Sequence, residues 1–309
     1  MNQNLMVVSG TANRDLAGAI ARWLDVDLAK CWVERFPDSE VNVELGESVR
    51  ERRVFIIQSS CPPVDQHAME AFAIADACRR AAAGSITWVA PYFGYARGDK
   101  RRGKRRALMG RLIADFAEQA GINQLIAVDL HSPQVEGFFR APVENLTAVP
   151  VIADALKENL LAESVIVSPD AGGIKLASAY GARLGCRVAV LHKERLDGAK
   201  TAITKIAGDV RGRACVIADD MISTGGTIKN AIEVLLQAGA GGGVTVAATH
   251  PVFTPEAQQN LNHPAIQQIV VTDSVPMSQH DWSRSRGVKV VSLAPLLAST
   301  IRRDVCATR

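Results

Sequence analysis

The chain has 309 residues, 48% of them hydrophobic and 22% charged, which is the balance of a globular protein and excludes a disordered or fibrous one. Aromatics supply only 5%, so aliphatic side chains must fill the core, and the net charge is +3. No apolar run reaches the roughly 18 residues of a membrane span and the first residues lack a secretory pattern, so a cytoplasmic protein with no membrane partner is expected. In chain order, short β-branched runs alternate with Ala-rich amphipathic stretches. A strand at 5–9 precedes a helix at 13–24, and a strand at 54–59 precedes a helix at 64–81. Further strands are expected at 86–90, 125–129, 165–168, 188–191, 215–219, 244–248 and 269–272. This alternation is that of an α/β fold with mostly parallel sheets flanked by helices. The strands are too many for one compact sheet, so two domains are expected, 1–147 and 148–309, joined in the Pro-flanked stretch 141–150. Both halves end an apolar strand on acid, at Asp129 and at Asp219-Asp220, which raises the suspicion of an internal duplication.

The cysteines at positions 31, 61, 78, 186, 215 and 306 show no Cys-x-x-Cys spacing, which favours buried free thiols over a zinc or redox pair. The positive charge is local. Arg97, Lys100, Arg101, Arg102, Lys104, Arg105 and Arg106 face one Asp99, and without that stretch the chain has 28 basic and 31 acidic residues. A site for a phosphate-rich small molecule or a regulatory anion is the simpler reading than nucleic acid, because no aromatic residue interleaves with the run. Gly98 to Lys104 also mimics a P-loop, but Arg105 stands where its metal-binding hydroxyl belongs.

The richest segment runs from Cys215 to Thr227. A buried strand reaches Asp219 and Asp220, then Ser223, Thr224, Gly225, Gly226 and Thr227 lead into a helix starting near Ile228. Hydroxyls, glycine N–H groups and the positive end of a helix suit a monophosphate. The two carboxylates suit vicinal ribose hydroxyls or a magnesium ion. The plainer alternative is an Asp turn before a Ser/Thr-capped helix.

This element resembles the sugar-phosphate loop of the phosphoribosyltransferase fold. Together with 36–40, 91–99, 129–139, 168–173 and 193–195, the chain from about 9 to about 303 resembles the ribose-phosphate pyrophosphokinase family. The resemblance implies two tandem phosphoribosyltransferase-type domains, with the final helix packing back on the first. It also implies a homo-oligomer, commonly a hexamer, in which the Phe36 loop reaches a neighbour's ATP site. The implied reaction moves the diphosphoryl group of Mg-ATP to the 1-hydroxyl of ribose 5-phosphate. Within that pattern Phe36, Asp38, Ser39, Glu40, Arg97, Gly98 and Asp99 are expected to receive ATP. Phe36 offers a flat face to adenine, Asp38 and Glu40 alternate along an extended segment, and the Arg97 guanidinium grips phosphate. His131, Asp170 and Asp129 are the implied metal ligands, with Mg2+ as the cofactor. Lys193 and Arg195, just beyond the strand at 188–191 and before a polar stretch expected to move, match the family's catalytic Lys-x-Arg.

A phosphoribosyltransferase, a non-catalytic partner of the synthetase and an RNA-binding regulator are the competing readings. The ATP-side motifs argue against the first and the retained His131, Asp170, Lys193 and Arg195 against the second; salt-dependent RNA binding would reveal the third. The chain departs from the common pattern at Gly98, Arg140, Glu144 and Ser223. It also departs at 104–109, where Lys104-Arg105-Arg106-Ala107-Leu108-Met109 replaces the Ser-Arg-x-Pro-Ile-Ser of phosphate-activated members. Ser48 and Arg50 remain, so an anion can be attracted without those two hydroxyls, and activity without added phosphate is expected.

Overall fold

The structure is a computed structural model that describes residues 4–101, 103, 105–196, 200–277 and 287–307, with the side chains of 193–196, 200–204 and 307 outside that description. Two compact units form, one from 1–147 with 292–309 and one from 148–291.

In the first unit, β1 (Leu5–Ser9), β4 (Arg53–Ile57), β5 (Ser85–Ala90), β6 (Gln124–Val128) and β7 (Val143–Leu146) make a parallel sheet in that order. β1 and all but the first residue of β4 are buried, as befits a parallel sheet covered on both faces. One face carries α2 (Val64–Arg80) and α3 (Met109–Ala120), whose Ala71, Ala75, Ile113 and Ala117 join Val8, Ile56 and Leu125 in a single core. α1 (Arg14–Leu24) packs beside α8 (Ala294–Ala307). The Asn13 side chain caps α1 by accepting the Leu16 N–H at 3.2 Å, and Asp25 closes it in the left-handed region.

The few aromatics are concentrated. Trp88, fully buried, donates its indole N–H to the Gln58 carbonyl at 2.8 Å and meets Phe72 edge-on at 5.9 Å. Phe93 lies 5.4 Å from Trp88 and 6.0 Å from Phe139. These rings pack the segment after β5 against the segment after β6.

The second unit holds a seven-stranded sheet in the order β10-β9-β8-β11-β12-β13-β14. Its strands are β8 (Val165–Ser168), β9 (Arg187–Leu196), β10 (Lys200–Ala207), β11 (Cys215–Ile222), β12 (Val244–Pro251), β13 (Ile266–Thr272) and β14 (Val288–Val291). Only the β9 and β10 pair is antiparallel. α4 (Val149–Leu156) and α5 (Ile174–Leu184) pack on each other, while α6 (Gly226–Gln237) and α7 (Pro255–Leu261) share one core with the sheet through Ile228, Ile232, Leu235, Ala257 and Leu261.

Several local expectations change. The strand expected at 188–191 runs to Leu196 because β10 supplies a partner; 197–199 of the polar stretch lie outside the described residues. The strand expected to stop at Asp219 continues to Ile222, paired with β12. The segment 36–40 is a hairpin turn rather than an extended run, since β2 (Cys31–Arg35) and β3 (Val41–Leu45) pair antiparallel on either side of it. The terminal segment from Ser292 is counted with the first unit.

The half-buried pair Arg53 and Asp304 ties α8 to β4: one guanidinium nitrogen lies 2.7 Å from the carboxylate and another donates to the Asp304 carbonyl at 3.1 Å. Asp304→Ala is expected to lower unfolding stability by about 1–2 kcal/mol, because Arg53 then keeps a partly desolvated charge without that carboxylate. Denaturant unfolding of the purified variant measures this.

Candidate active site

On the first unit, the chain leaves β5 through a tight turn. The Gly94 N–H donates to Ser60 Oγ at 2.7 Å, Tyr95 adopts φ +64°, and the Gly98 N–H closes back on the Tyr95 carbonyl at 2.8 Å. Arg97 is left exposed at the head of the turn. The Gly98 carbonyl accepts the Gly110 N–H at 3.2 Å, and a Cβ at position 98 would stand 3.0 Å from the Met109 Cβ. A side chain at position 98 would need α3 to give by a few tenths of an ångström, so the close approach of α3 suits the glycine beside Arg97.

Asp99 turns to the neighbouring segment and accepts the Ser132 hydroxyl at 2.8 Å, with Lys100 Nζ at 3.3 Å. Burial pushes its carboxyl up, but these donors outweigh that effect and hold it below the ordinary range. His131 is exposed next to Ser132. Two residues before it, Asp129 follows β6 at φ +40°, its N–H bonded to the Leu146 carbonyl, and the Leu130 N–H is held by Asn145 Oδ1 at 3.1 Å. The hydroxyl of Ser132 thus joins the Arg97 turn to the His131 segment, a link that sequence reading missed. Its only signal was adjacency to His131.

The hairpin at 36–40 is closed by the Phe36 N–H to the Glu40 carbonyl at 2.9 Å and the Ser39 N–H to the Phe36 carbonyl at 2.8 Å. Ser39 has φ +78°, and Asp38 spends one oxygen on the Glu40 N–H at 3.1 Å. Phe36 is 53% exposed, so its ring face is open to a ligand. At its base Arg35 pairs at 2.8 Å with Glu70, a buried carboxylate that also accepts from Thr11 and Gln58. Neither Arg35 nor Glu70 stood out in the sequence, because their contact spans 35 residues.

In the second unit, Asp170 follows β8 and caps the short helix 171–173. One carboxylate oxygen accepts the N–H groups of Gly172 at 2.9 Å and Gly173 at 3.2 Å. On β11, Asp219 accepts the Asp220 N–H at 2.9 Å. Burial, followed by the charge of Asp220 and a smaller effect of Asp170, pushes the Asp219 carboxyl well above its ordinary range. Beyond Ile222 the loop Ser223-Thr224 reaches Gly225 at φ +74°, and α6 starts at Gly226, two residues before the expected position. Gly226 donates to Thr224 Oγ1 at 3.4 Å, and the first turn presents the N–H groups that a helix start leaves without intrahelical acceptors.

The structure thus brings Asp170 within electrostatic reach of Asp219, which adjoins Asp220 on β11, and runs residues 223–227 as a continuous passage into the start of α6. Lys193 and Arg195 lie on β9, their backbones opposite Ile203 and Thr201; their side chains are outside the described residues. Among the described residues no three His, Cys, Asp or Glu side chains form a self-sufficient metal cage, and no helix is long and apolar enough to cross a membrane.

Comparisons with known proteins give the family of the chain. Residues 5–121 match the model for the N-terminal domain of ribose phosphate pyrophosphokinase, and residues 197–307 match the phosphoribosyl synthetase-associated domain. A ribose-phosphate pyrophosphokinase of Ralstonia nicotianae is 41% identical over 98% of this chain and 96% of its own, and one of Aquifex aeolicus is 37% identical over 96% and 94%. The crystal structure of a phosphoribosylpyrophosphate synthetase from Mycobacterium smegmatis superposes with a TM-score of 0.90 at 36% identity, covering 97% of this chain and 98% of that one. The fold and these matches define an enzyme of the phosphoribosyl-diphosphate synthetase class. The chain belongs to the ribose-phosphate pyrophosphokinase family.

The raised Asp219 carboxyl has a signed consequence for stability. The folded chain holds that proton more tightly than the unfolded chain, so ionising it opposes folding once the pH has risen through the folded-state value. Asp219→Asn is therefore expected to unfold later than the parent at pH about 8, by on the order of 1 kcal/mol. The gap should narrow as the pH falls through about 4, the ordinary carboxylate value of the unfolded chain, and vanish below about 3, where the group is neutral in both states. Paired thermal melts across pH read the difference.

Proposed function

We propose that the chain transfers the β,γ-diphosphoryl group of Mg-ATP to the 1-hydroxyl of ribose 5-phosphate, giving 5-phosphoribosyl 1-diphosphate and AMP for nucleotide biosynthesis. The passage from β11 to α6 carries this reading. Asp219 and Asp220 stand where a ribose has hydroxyls to donate, and the loop of Ser223, Thr224, Gly225, Gly226 and Thr227 meets the 5-phosphate with hydroxyls and N–H groups.

The anomeric oxygen attacks the β-phosphorus in line. The new O–P bond forms as the bond from that phosphorus to the α,β-bridging oxygen breaks; AMP leaves with the bridging oxygen and the hydroxyl proton passes to solvent. No side chain stands out as a general base, in keeping with phosphoryl-group chemistry in which positioning and charge neutralisation dominate. Lys193 and Arg195 neutralise charge on the transferring group. Phe36, with Asp38, Ser39 and Glu40, receives the base, while Arg97, Gly98 and Asp99 form the phosphate turn. Within that turn Asp99 acts through Ser132, since its carboxylate is already hydrogen-bonded there.

Mg2+ suits the donors on offer. It favours oxygen ligands, keeps several waters and needs only one or two carboxylates plus substrate phosphates, so a full protein cage is not required. On the first unit Asp129 with His131, and on the second unit Asp170, are each donors that would hold magnesium, and when bound it would supply neutralisation of phosphate charge. Oligomerisation, as a hexamer in which the hairpin serves a neighbour, and residence in the cytoplasm belong to the same reading. Incubation with ribose 5-phosphate, magnesium and labelled ATP should yield AMP and the sugar diphosphate in equal amounts; ATP consumption independent of the sugar would contradict it.

Lys193→Ala and Arg195→Ala are each expected to lower kcat by about a hundredfold or more while ATP binding changes little, as charges needed chiefly in the transition state require. Equilibrium ATP titration beside steady-state rates separates the two effects. A regulatory outcome follows from the start of α3, where Leu108 offers no side-chain cap and Met109, which has no hydroxyl, packs on Gly98. Initial rates in phosphate-free buffer are expected to be close to those with added phosphate, with ADP acting by competition at the ATP site. A phosphate titration measures this directly.

A further inference from the structure

The loop that opens α6 is held by a second segment. The Phe253 N–H donates to the Ile222 carbonyl at 2.9 Å and the Thr254 N–H to the Ser223 carbonyl at 3.1 Å. Asn260 Nδ2 donates to the Thr224 carbonyl at 2.8 Å, and Leu261 lies against Gly225, where an added Cβ would come within 3.0 Å of its Cγ. Four consecutive loop residues are thus braced in order by the passage from β12 into α7. Pro255 starts α7, and the Thr254 hydroxyl is held by Glu256 at 2.6 Å, so the brace is itself tied down.

Three of these contacts come from backbone or from a buried apolar side chain. Asn260 differs: it is half-buried and acts through a side-chain amide. Gly225 at φ +74° sits at the point where the loop reverses into the helix, and a glycine there offers little resistance to alternative conformations. The amide therefore acts on the peptide that precedes this soft point. By fixing the Thr224 carbonyl it fixes the plane of the Thr224–Gly225 peptide, whose N–H belongs to the anion-facing set.

We infer that Asn260 is a positioning residue for sugar-phosphate binding, orienting the Thr224–Gly225 peptide so that the loop meets the 5-phosphate preorganised. The inference rests on the reading of 223–227 as the holder of that phosphate. Asn260 touches no substrate, and its effect falls on the sugar rather than on the nucleotide.

The test compares the full chain with Asn260→Asp, Asn260→Ala and Asn260→Gln, with Thr227→Val as a control in the loop itself. Each substrate is varied in turn, and thermal unfolding is recorded. Asn260→Asp keeps the shape but places an ionised acceptor against a carbonyl; Asn260→Ala removes the group; Asn260→Gln keeps an amide donor. The expected result is a KM for ribose 5-phosphate raised about fivefold in the Asp and Ala variants, as loss of one net hydrogen bond implies, with KM for ATP and kcat near the parent and partial recovery in the Gln variant. Equal rises in both KM values, or a loss of activity that tracks a lowered melting temperature, would mark a general structural role and overturn the inference. If Thr227→Val raises the sugar KM while the Asn260 variants do not, the brace is refuted and the loop reading stands. If none of the four alters the sugar KM, the loop reading fails and the inference falls with it.

Discussion

Asp219 is a carboxylate held where burial and the neighbouring Asp220 and Asp170 all oppose its charge. Such a cluster either keeps a proton, as the raised Asp219 carboxyl does, or is relieved by neighbours that stabilise negative charge. The second unit places two such features next to it. The N–H groups of Gly172 and Gly173 point at Asp170, and the α6 start presents the positive end of a helix immediately after β11. The parallel sheet makes this possible, because β8 and β11 are direct neighbours and their carboxyl ends emerge on the same edge. A sugar phosphate bound as proposed, with its hydroxyls towards Asp219 and Asp220 and its phosphate towards the loop, would use both features at once.

The first unit solves a different problem with the same sheet geometry. Its exposed Arg97 and His131 sit on segments that follow β5 and β6, and loops of that kind need internal ties to hold a defined shape. The Ser132 hydroxyl on Asp99, the Gly98 carbonyl on Gly110 and the rings of Trp88, Phe93 and Phe139 supply them. Three of the chain's few aromatic rings are thus spent beneath the proposed nucleotide-facing turns.

The alternation of apolar runs and amphipathic helices was legible because parallel strands covered on both faces read as unbroken aliphatic segments; β1 and β8 appear at their expected limits. The half-exposed strands were not. β2 reads Cys31-Trp32-Val33-Glu34-Arg35 and β3 reads Val41-Asn42-Val43-Glu44-Leu45, and such alternating segments gain their identity from pairing with each other. β10, with Lys200, Thr201 and Lys205, is likewise defined by its antiparallel partner β9. In the site, the acidic strand end and the glycine loop were visible as local patterns. Ser132, Glu70 and Asn260 were not, since a hydroxyl, a carboxylate and an amide on helices or loops acquire meaning only from partners brought to them by the fold.

The account turns on which bond the enzyme breaks. Ribose 5-phosphate carrying heavy oxygen in its anomeric hydroxyl, turned over with unlabelled ATP, tests this by mass spectrometry of both products. Attack by that hydroxyl on the β-phosphorus predicts that the heavy oxygen remains in 5-phosphoribosyl 1-diphosphate, bridging the sugar and the transferred group, and that AMP contains none. Heavy oxygen in AMP, or a sugar diphosphate depleted of it relative to the unreacted ribose 5-phosphate sampled at the same time, would contradict the account.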